Sequence, residues 1–432
     1  MQHRIIEATE QWDANVDSLD PQNELSKDSY RKELKRPGDS TASECFSLKK
    51  GETGWHMSTS YFIGVDWLDI QKSALRVSPK FNTINDLVEI DYLSMLENAL
   101  REPKNFQHLD GLLWVDFSQP AITIPRQDDN LSLFLISEYI QLLAHITAKG
   151  LKKAYYFEEE NQRSKLKGKI LLAQNIKRNN LKGNYADNYC RFQCYGVDIP
   201  ENRLLKKALT VASHILDGYK EETVKQLKAI IASIRPRWQH VSSEYDERKI
   251  SRGKVNPFYK EYPVAINLAK LILRKMSYNQ VMHGVSMTTT PPYWIDMSKL
   301  FEMYVFALLR NRFGGHVVYH PHFRGQEPDY LLLPKEERPP YIIDAKYKRY
   351  AERPIETDDI RQVSGYARMK SIRKKLDVDN HSLIPCLIVF PNQESPKLIL
   401  DNKEWPEEGR YLDIYKVGVQ LPVIERKKIE NK

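Results

Sequence analysis

Apolar and polar positions change period twice along the chain. Over 59–68, 74–77, 111–116 and 121–124, short runs rich in β-branched and aromatic residues alternate with polar, turn-forming segments, which predicts strands; a helix is expected over 87–100. From Leu131 the spacing becomes helical, over 131–149, 203–219, 222–234 and 263–276, with Pro200 ahead of Asn202 as a helix-entry signal. Between the first two helices, 166–179 alternates Lys with apolar neighbours and reads as a basic strand or ribbon. Thr288-Thr-Thr-Pro-Pro reads as a hinge into a third stretch. There the pattern predicts a helix over 294–313, strands over 316–320, 330–333 and from 341, a helix over 357–375 and a strand over 384–390, with edge strands over 398–400 and 411–417. By contrast 7–50, rich in Asp, Ser, Glu and Lys, reads as an insert that cannot bury enough to order itself. The expected fold class is multidomain α+β, with a β-rich N-terminal domain over 1–130, a mainly helical middle domain over 131–290 and a C-terminal α/β domain over 291–432.

Composition narrows the class. With 41% hydrophobic and 28% charged residues the chain is globular in type. A net charge of +8 favours a polyanionic partner, nucleic acid first. Arg368, Lys370, Arg373, Lys374 and Lys375 cluster near the end of the 357–375 helix, and with Lys348 and Arg349 they are the candidate contacts to DNA phosphates. The four cysteines are too few and too scattered for a disulfide framework, so a reducing cytoplasm is expected. Cys190 and Cys194 lack a second closely spaced pair, so no zinc site is expected. There is no apolar signal core at the amino end and no run of about eighteen apolar residues, so neither export nor a membrane span is expected.

The chemistry concentrates in residues 327–350. Asp329 opens an apolar strand, a proline-rich turn follows, and the next strand carries Asp344, Ala345 and Lys346. Side chains alternate along a strand, so Asp344 and Lys346 share a face while Ala345 points into the packing. Paired as a hairpin, these strands bring two carboxylates and an ammonium to one point. Mg²⁺ takes oxygen ligands and keeps several waters, so Asp329 and Asp344 suffice as protein ligands for one ion or two. A lysine beside them can orient or deprotonate the attacking water, or offset charge on a phosphoryl oxygen, as phosphodiester hydrolysis requires. Asp-x-Lys alone is a weak signal, since charges commonly alternate on a solvated strand face. Here a helix carrying Glu302 precedes it, and Gln362 and Tyr366 follow at i, i+4 on one helix face.

Pro328, Asp329, Asp344, Ala345 and Lys346 resemble, in order, the motif of the PD-(D/E)XK nuclease superfamily. Glu302 sits where many of these nucleases place a helical acid, and Gln362 with Tyr366 matches the QxxxY element of the RecB-like branch. Together with the β-rich front, Lys167-Gly-Lys-Ile, Asn202-Arg-Leu-Leu and Lys299-Leu-Phe-Glu, the chain resembles the McrC family, endonuclease subunits of McrBC-type modification-dependent restriction systems. The likeness runs from about Tyr61 and is most specific over 294–366; the polar stretch before Trp55 departs from it.

The resemblance implies a C-terminal PD-(D/E)XK nuclease domain, an α/β sandwich on a mixed sheet. Asp329 and Asp344 would be its Mg²⁺ ligands, Lys346 its catalytic lysine, and Glu302, Gln362 and Tyr366 supporting residues. It further implies cleavage of foreign or modified double-stranded DNA only in complex with a hexameric McrB-like AAA+ GTPase, which the front and middle domains engage and stimulate. No Gly-x-x-x-x-Gly-Lys-Ser/Thr phosphate loop occurs in the chain, in keeping with that division of labour. Two other readings stay open: a stand-alone PD-(D/E)XK nuclease in repair or defence, and a non-catalytic adaptor of an AAA+ ring.

Overall fold

The structure is a computed structural model that describes residues 3–16, 25–35, 41–52, 54–80, 88–108, 111–116, 118–125, 130–218, 221–246, 257–279, 287–323, 327–335, 338–393 and 410–425. The chain folds as two compact units, Met1–Phe134 with Tyr278–Lys432, and Leu135–Ser277.

The described residues of the polar segment 7–50 are ordered, contrary to the expectation. They form most of β1 (Arg4–Thr9), then β2 (Asp13–Val16), β3 (Ser29–Leu34) and β4 (Ser43–Gly51). β5 (Gly54–Thr59) completes an antiparallel sheet of order β2-β5-β4-β3. Tyr30, Phe46, Leu48, Trp55 and Met57 from these strands are buried in one core. A strand that buries one face needs only a few large apolar residues, so low apolar content does not preclude order.

β6 (Phe62–Asp69) and β7 (Ser73–Ser78) follow as an antiparallel pair, with β1 lying parallel to β7. The helix expected over 87–100 is a short strand, β8 (Val88–Ile90), and then α1 (Tyr92–Leu100). β9 (Leu113–Val115) and β10 (Ile122–Pro125) end the front of the chain.

After α2 (Asn130–Lys149) the second unit has a three-stranded sheet, order β11-β13-β12, built from β11 (Ala154–Arg163), β12 (Lys169–Ile170) and β13 (Asp187–Gly196). The ribbon expected over 166–179 is therefore mostly something else. It gives a two-residue strand and then α3 (Leu172–Arg178); the long ribbon is β11 with β13. Gly168 makes the close approach to β13: its φ is +70°, and a Cβ there would lie 2.4 Å from the Arg191 carbonyl oxygen. Gly168→Ala is expected to cost about 1–3 kcal/mol through strain and loss of the β12 pairing, read as a lowered urea midpoint. α4 (Pro200–Leu216), α5 (Glu221–Ile234) and α6 (Tyr262–Asn279) follow, near the predicted spans. Trp238 is buried in this unit and donates from Nε1 to Thr147 Oγ1 at 2.9 Å.

The Thr288-Thr-Thr run is a strand and not a bare hinge: β14 (Met287–Thr290) pairs with β10. Trp294 likewise lies on a strand, β15 (Tyr293–Asp296), which enters the front sheet in the order β1-β7-β6-β15-β9. The helix expected from 294 begins as α7 (Met297–Phe313), because Asp296 caps it by accepting from the Lys299 amide at 2.9 Å. Then come β16 (Val317–Tyr319), β17 (Tyr330–Leu332), β18 (Tyr341–Ala345), α8 (Thr357–Arg368), α9 (Lys370–Leu376), β19 (Cys386–Pro391), β20 (Ile414–Val419) and β21 (Val423–Glu425). One helix was expected over 357–375; extended backbone at Met369 divides it into α8 and α9.

β16 to β20 form a mixed sheet in sequence order, antiparallel through β18 and parallel from β18 to β20. The expected edge strand near 411–417 is β20, whereas 398–400 lies outside the described residues. The whole is a mixed α/β chain, rich in sheet. Among the described residues no helix is long and apolar enough to cross a membrane.

Candidate active site

The β17–β18 register sets Tyr330 opposite Ile343 and so brings Asp329 across from Asp344 at the open end of the pair. Asp329 Oδ2 accepts from the Ala345 amide at 2.7 Å, which fixes this carboxylate against the neighbouring strand. Asp344 is 1% exposed, since β18 lies inside the sheet with β19 beyond it. Its Oδ2 is 2.8 Å from Lys346 Nζ, and its Oδ1 meets no hydrogen-bond donor among the described residues.

Lys346 lies one residue past the last β18 position, where its amide donates to the Val389 carbonyl at 2.7 Å. Its Nζ also donates to Gln362 Oε1 at 2.8 Å, and Gln362 Nε2 donates to the Tyr366 hydroxyl at 2.6 Å. The helical i, i+4 spacing thus produces a real contact. α8 buries Ile360, Val363 and Tyr366 and leaves Gln362 outward to reach the lysine.

Glu302, on α7, presents its backbone carbonyl to the Tyr330 hydroxyl at 2.6 Å, and its Oε2 is 3.6 Å from His320 Nε2. Its charge reaches both aspartates. Burial first, then Asp344 and Glu302, push the Asp329 carboxyl well above the usual carboxylate range; burial also raises Asp344, with Lys346 opposing it. For Lys346 burial works against the ammonium, but Asp344 and then Asp329 outweigh it and hold the group above its ordinary value.

His320 was not singled out from the sequence. It has a left-handed φ of +40°, and its amide donates to the Asp329 carbonyl at 2.9 Å, so it abuts both Asp329 and Glu302. The signal available was His320-Pro-His immediately after a strand, which carries no periodicity. His108, which the sequence also gave no reason to pick, has its ring centroid 5.8 Å from that of His320, and burial and then His320 push its pKa down to about 4.

The structure therefore brings Asp329, Asp344, Lys346, Glu302, Gln362 and Tyr366 together. Among the candidate phosphate contacts, Lys348 is engaged by Glu356 at 2.7 Å and Asp359 at 2.9 Å, and Arg349 donates to the Lys80 carbonyl. Arg373 donates to the Ser382 carbonyl at 3.0 Å, while Arg368, Lys370 and Lys374 are exposed.

Among the described residues no three His, Cys, Asp or Glu side chains converge as a complete metal cage. A hard divalent ion does not need one. Asp329 and Asp344 could serve it together with water and a phosphate oxygen, and the Asp344 oxygen that lacks a donor suits such a ligand.

The family model for the McrBC 5-methylcytosine restriction system component matches residues 65–376, well over half of the chain. The chain belongs to this family. No curated protein matches it. Among solved structures, similarity extends to a half-complex from the tetradecameric assembly of Thermococcus gammatolerans McrB AAA+ hexamers with bound McrC. There the identity is 15%, 99% of this chain and 97% of that chain are covered, and the TM-score is 0.41. For the cryo-EM structure of the T. gammatolerans McrBC complex the identity is 14%, with 71% of this chain and 87% of that chain covered, at a TM-score of 0.29. As a McrBC-family restriction component the chain has its candidate site wholly inside the matched span: Glu302, Asp329, Asp344 and Lys346 all lie within 65–376, as do Gln362 and Tyr366.

Proposed function

We propose that this chain is the Mg²⁺-dependent endonuclease subunit of its McrBC-type system, a PD-(D/E)XK phosphodiester hydrolase that cuts foreign or modified double-stranded DNA together with a hexameric McrB-like AAA+ GTPase. The observation that carries the reading is Asp344, buried, with one oxygen meeting no donor among the described residues and the other 2.8 Å from Lys346 Nζ, across the hairpin from Asp329. A bound Mg²⁺ would polarise the scissile phosphate and the attacking water. The residues of the chain do the rest. Asp329 and Asp344 would hold the ion; Lys346 would orient the water and offset charge on the phosphoryl oxygens; Gln362, itself bonded to Tyr366, keeps the lysine over the acids. Arg368, Lys370 and Lys374 are the exposed cations we assign to the DNA backbone, with Lys348, Arg349 and Arg373 reaching it only if their intrachain bonds are exchanged for phosphate.

Dependence on a motor is supported by the family and by the absence of a phosphate loop in the sequence. We assign the protein to the cytoplasm, where such DNA is met. The test is a cleavage assay on methylated plasmid with the purified chain, with and without its AAA+ GTPase and nucleotide. Cutting is expected only with both proteins and Mg²⁺, and chelation of the metal with EDTA is expected to stop it. Efficient cutting by the chain alone would make it a stand-alone nuclease; no cutting by the complete, Mg²⁺-supplied complex would leave it an adaptor.

A further inference from the structure

A buried acid follows β1 directly. Glu10 is 1% exposed and Lys80, just past β7, is 5% exposed, and the two are drawn together because the Lys80 amide donates to Glu10 Oε1 at 3.1 Å. Gln11, at φ +53°, turns the chain there, and its Oε1 accepts from Lys80 Nζ at 2.8 Å. All three converge on a residue more than two hundred positions away in sequence, Tyr347, the immediate neighbour of Lys346. The Tyr347 carbonyl accepts from Lys80 Nζ at 2.6 Å and from Gln11 Nε2 at 3.4 Å, and its hydroxyl donates to Glu10 Oε1 at 2.9 Å. Lys80 Nζ also lies 4.0 Å from the centroid of the Tyr347 ring. Arg349 closes the group by donating to the Lys80 carbonyl.

A buried ammonium and carboxylate are costly to desolvate and are not needed to fill a core; here both bond to Tyr347, the lysine to its carbonyl and the acid to its hydroxyl. What they place is the backbone just beyond β18. The sheet pairing of that strand ends with the Lys346 amide on Val389, and the chain then turns sharply, the Lys348 amide returning to the Lys346 carbonyl at 2.8 Å. Lys346 thus stands at the boundary between sheet and turn. Tyr347 also faces α7, with its ring centroid 5.7 Å from that of Phe301, the residue before Glu302.

We propose that Glu10 and Lys80 are positioning residues for the cleavage reaction: by clamping Tyr347 from the front sheet they fix Lys346 over Asp344. The inference rests on the nuclease reading above. It makes the first eighty residues part of the catalytic apparatus and not only a scaffold or a surface for partners. Glu10 lies outside the span matched by the family model, whereas Lys80 lies inside it.

The test uses the full chain in complex with its AAA+ GTPase, comparing Lys80→Met, the charge-balanced double variant Glu10→Gln with Lys80→Met, Lys80→Arg, and Asp344→Ala as the inactive reference. Misplacement of a catalytic group by about 1 Å costs on the order of 100-fold in rate. Lys80→Met is expected to lower kcat about 10- to 100-fold with KM for DNA within about twofold of the parent. The double variant is expected to regain the parent Tm but not its kcat, since methionine has no donor for the Tyr347 carbonyl. Lys80→Arg, which keeps cation and donors, is expected to recover most of the turnover. A double variant that melts and turns over like the parent overturns the positioning role while an inactive Asp344→Ala leaves the nuclease reading standing. Full cleavage by Asp344→Ala removes the nuclease reading itself. Failure of both Met variants to fold would make Lys80 a structural residue only, and would also overturn the proposal.

Discussion

Asp344→Ala is expected to reduce DNA cleavage by the assembled complex by about a thousandfold or more while leaving assembly with the AAA+ partner intact. The loss follows from position. Removing a single preorganised group that stabilises charge in a transition state costs about 10²–10³ in rate. Asp344 is proposed to hold the cation and also anchors Lys346 at 2.8 Å, so the substitution disturbs two groups at once. Stability should move less, because burial already raises the Asp344 carboxyl and Lys346, on losing it, keeps Gln362 at 2.8 Å and the charge of Asp329. The measurements are plasmid cleavage with Mg²⁺ in excess, a thermal melt, and co-elution with the partner. Cleavage within about tenfold of the parent would reject Asp344 as a ligand.

The largest stability effect is expected at Trp294. Its side chain is 1% exposed, packs against Phe46 with ring centroids 5.8 Å apart, and donates from Nε1 to Asp66 Oδ2 at 3.0 Å. Asp66 is itself buried and receives Lys32 Nζ at 3.0 Å. Trp294→Ala removes the indole from this core and one donor from a buried carboxylate. About 3–5 kcal/mol of destabilisation is expected from the cavity, with a further contribution from the lost hydrogen bond. Urea unfolding followed by a probe in the front sheet measures it. A change below about 1 kcal/mol would mean that the site collapses freely and that Trp294 does not hold the sheet together.

Trp294 also shows where sequence periodicity stopped being informative. Residues 293–313 carry apolar positions nearly throughout, so a helix beginning at Trp294 and a strand followed by a helix look alike; only Asp296, as a cap, marks the division. The acids and the lysine were legible because strand alternation is rigid: extended backbone that runs from β18 one residue past its end is enough to put Asp344 and Lys346 on one side. Gln362 with Tyr366 was legible through helix geometry in the same way. Glu10, Lys80 and His320 were not. Each reaches its neighbours through tertiary placement, and no local period encodes a contact between residues 80 and 347. The front strands were hidden for another reason, since β3 and β4 distribute a few buried aromatics among many polar residues and resemble a linker in composition.

β15 sits between β6 and β9, with Ile295 opposite Ile63 on one side and Leu113 on the other. Those partners are about 180 to 230 residues apart in the chain, and ribosomes add roughly 5–20 residues per second. For tens of seconds of each round of synthesis, β6 and β9 are out of the ribosome with one edge bare and open to pairing with a neighbouring nascent chain. Yield in a heterologous host should therefore respond to lower temperature and to chaperone supply, and expression of the terminal part alone should give insoluble material, because β15 would leave its own neighbours behind.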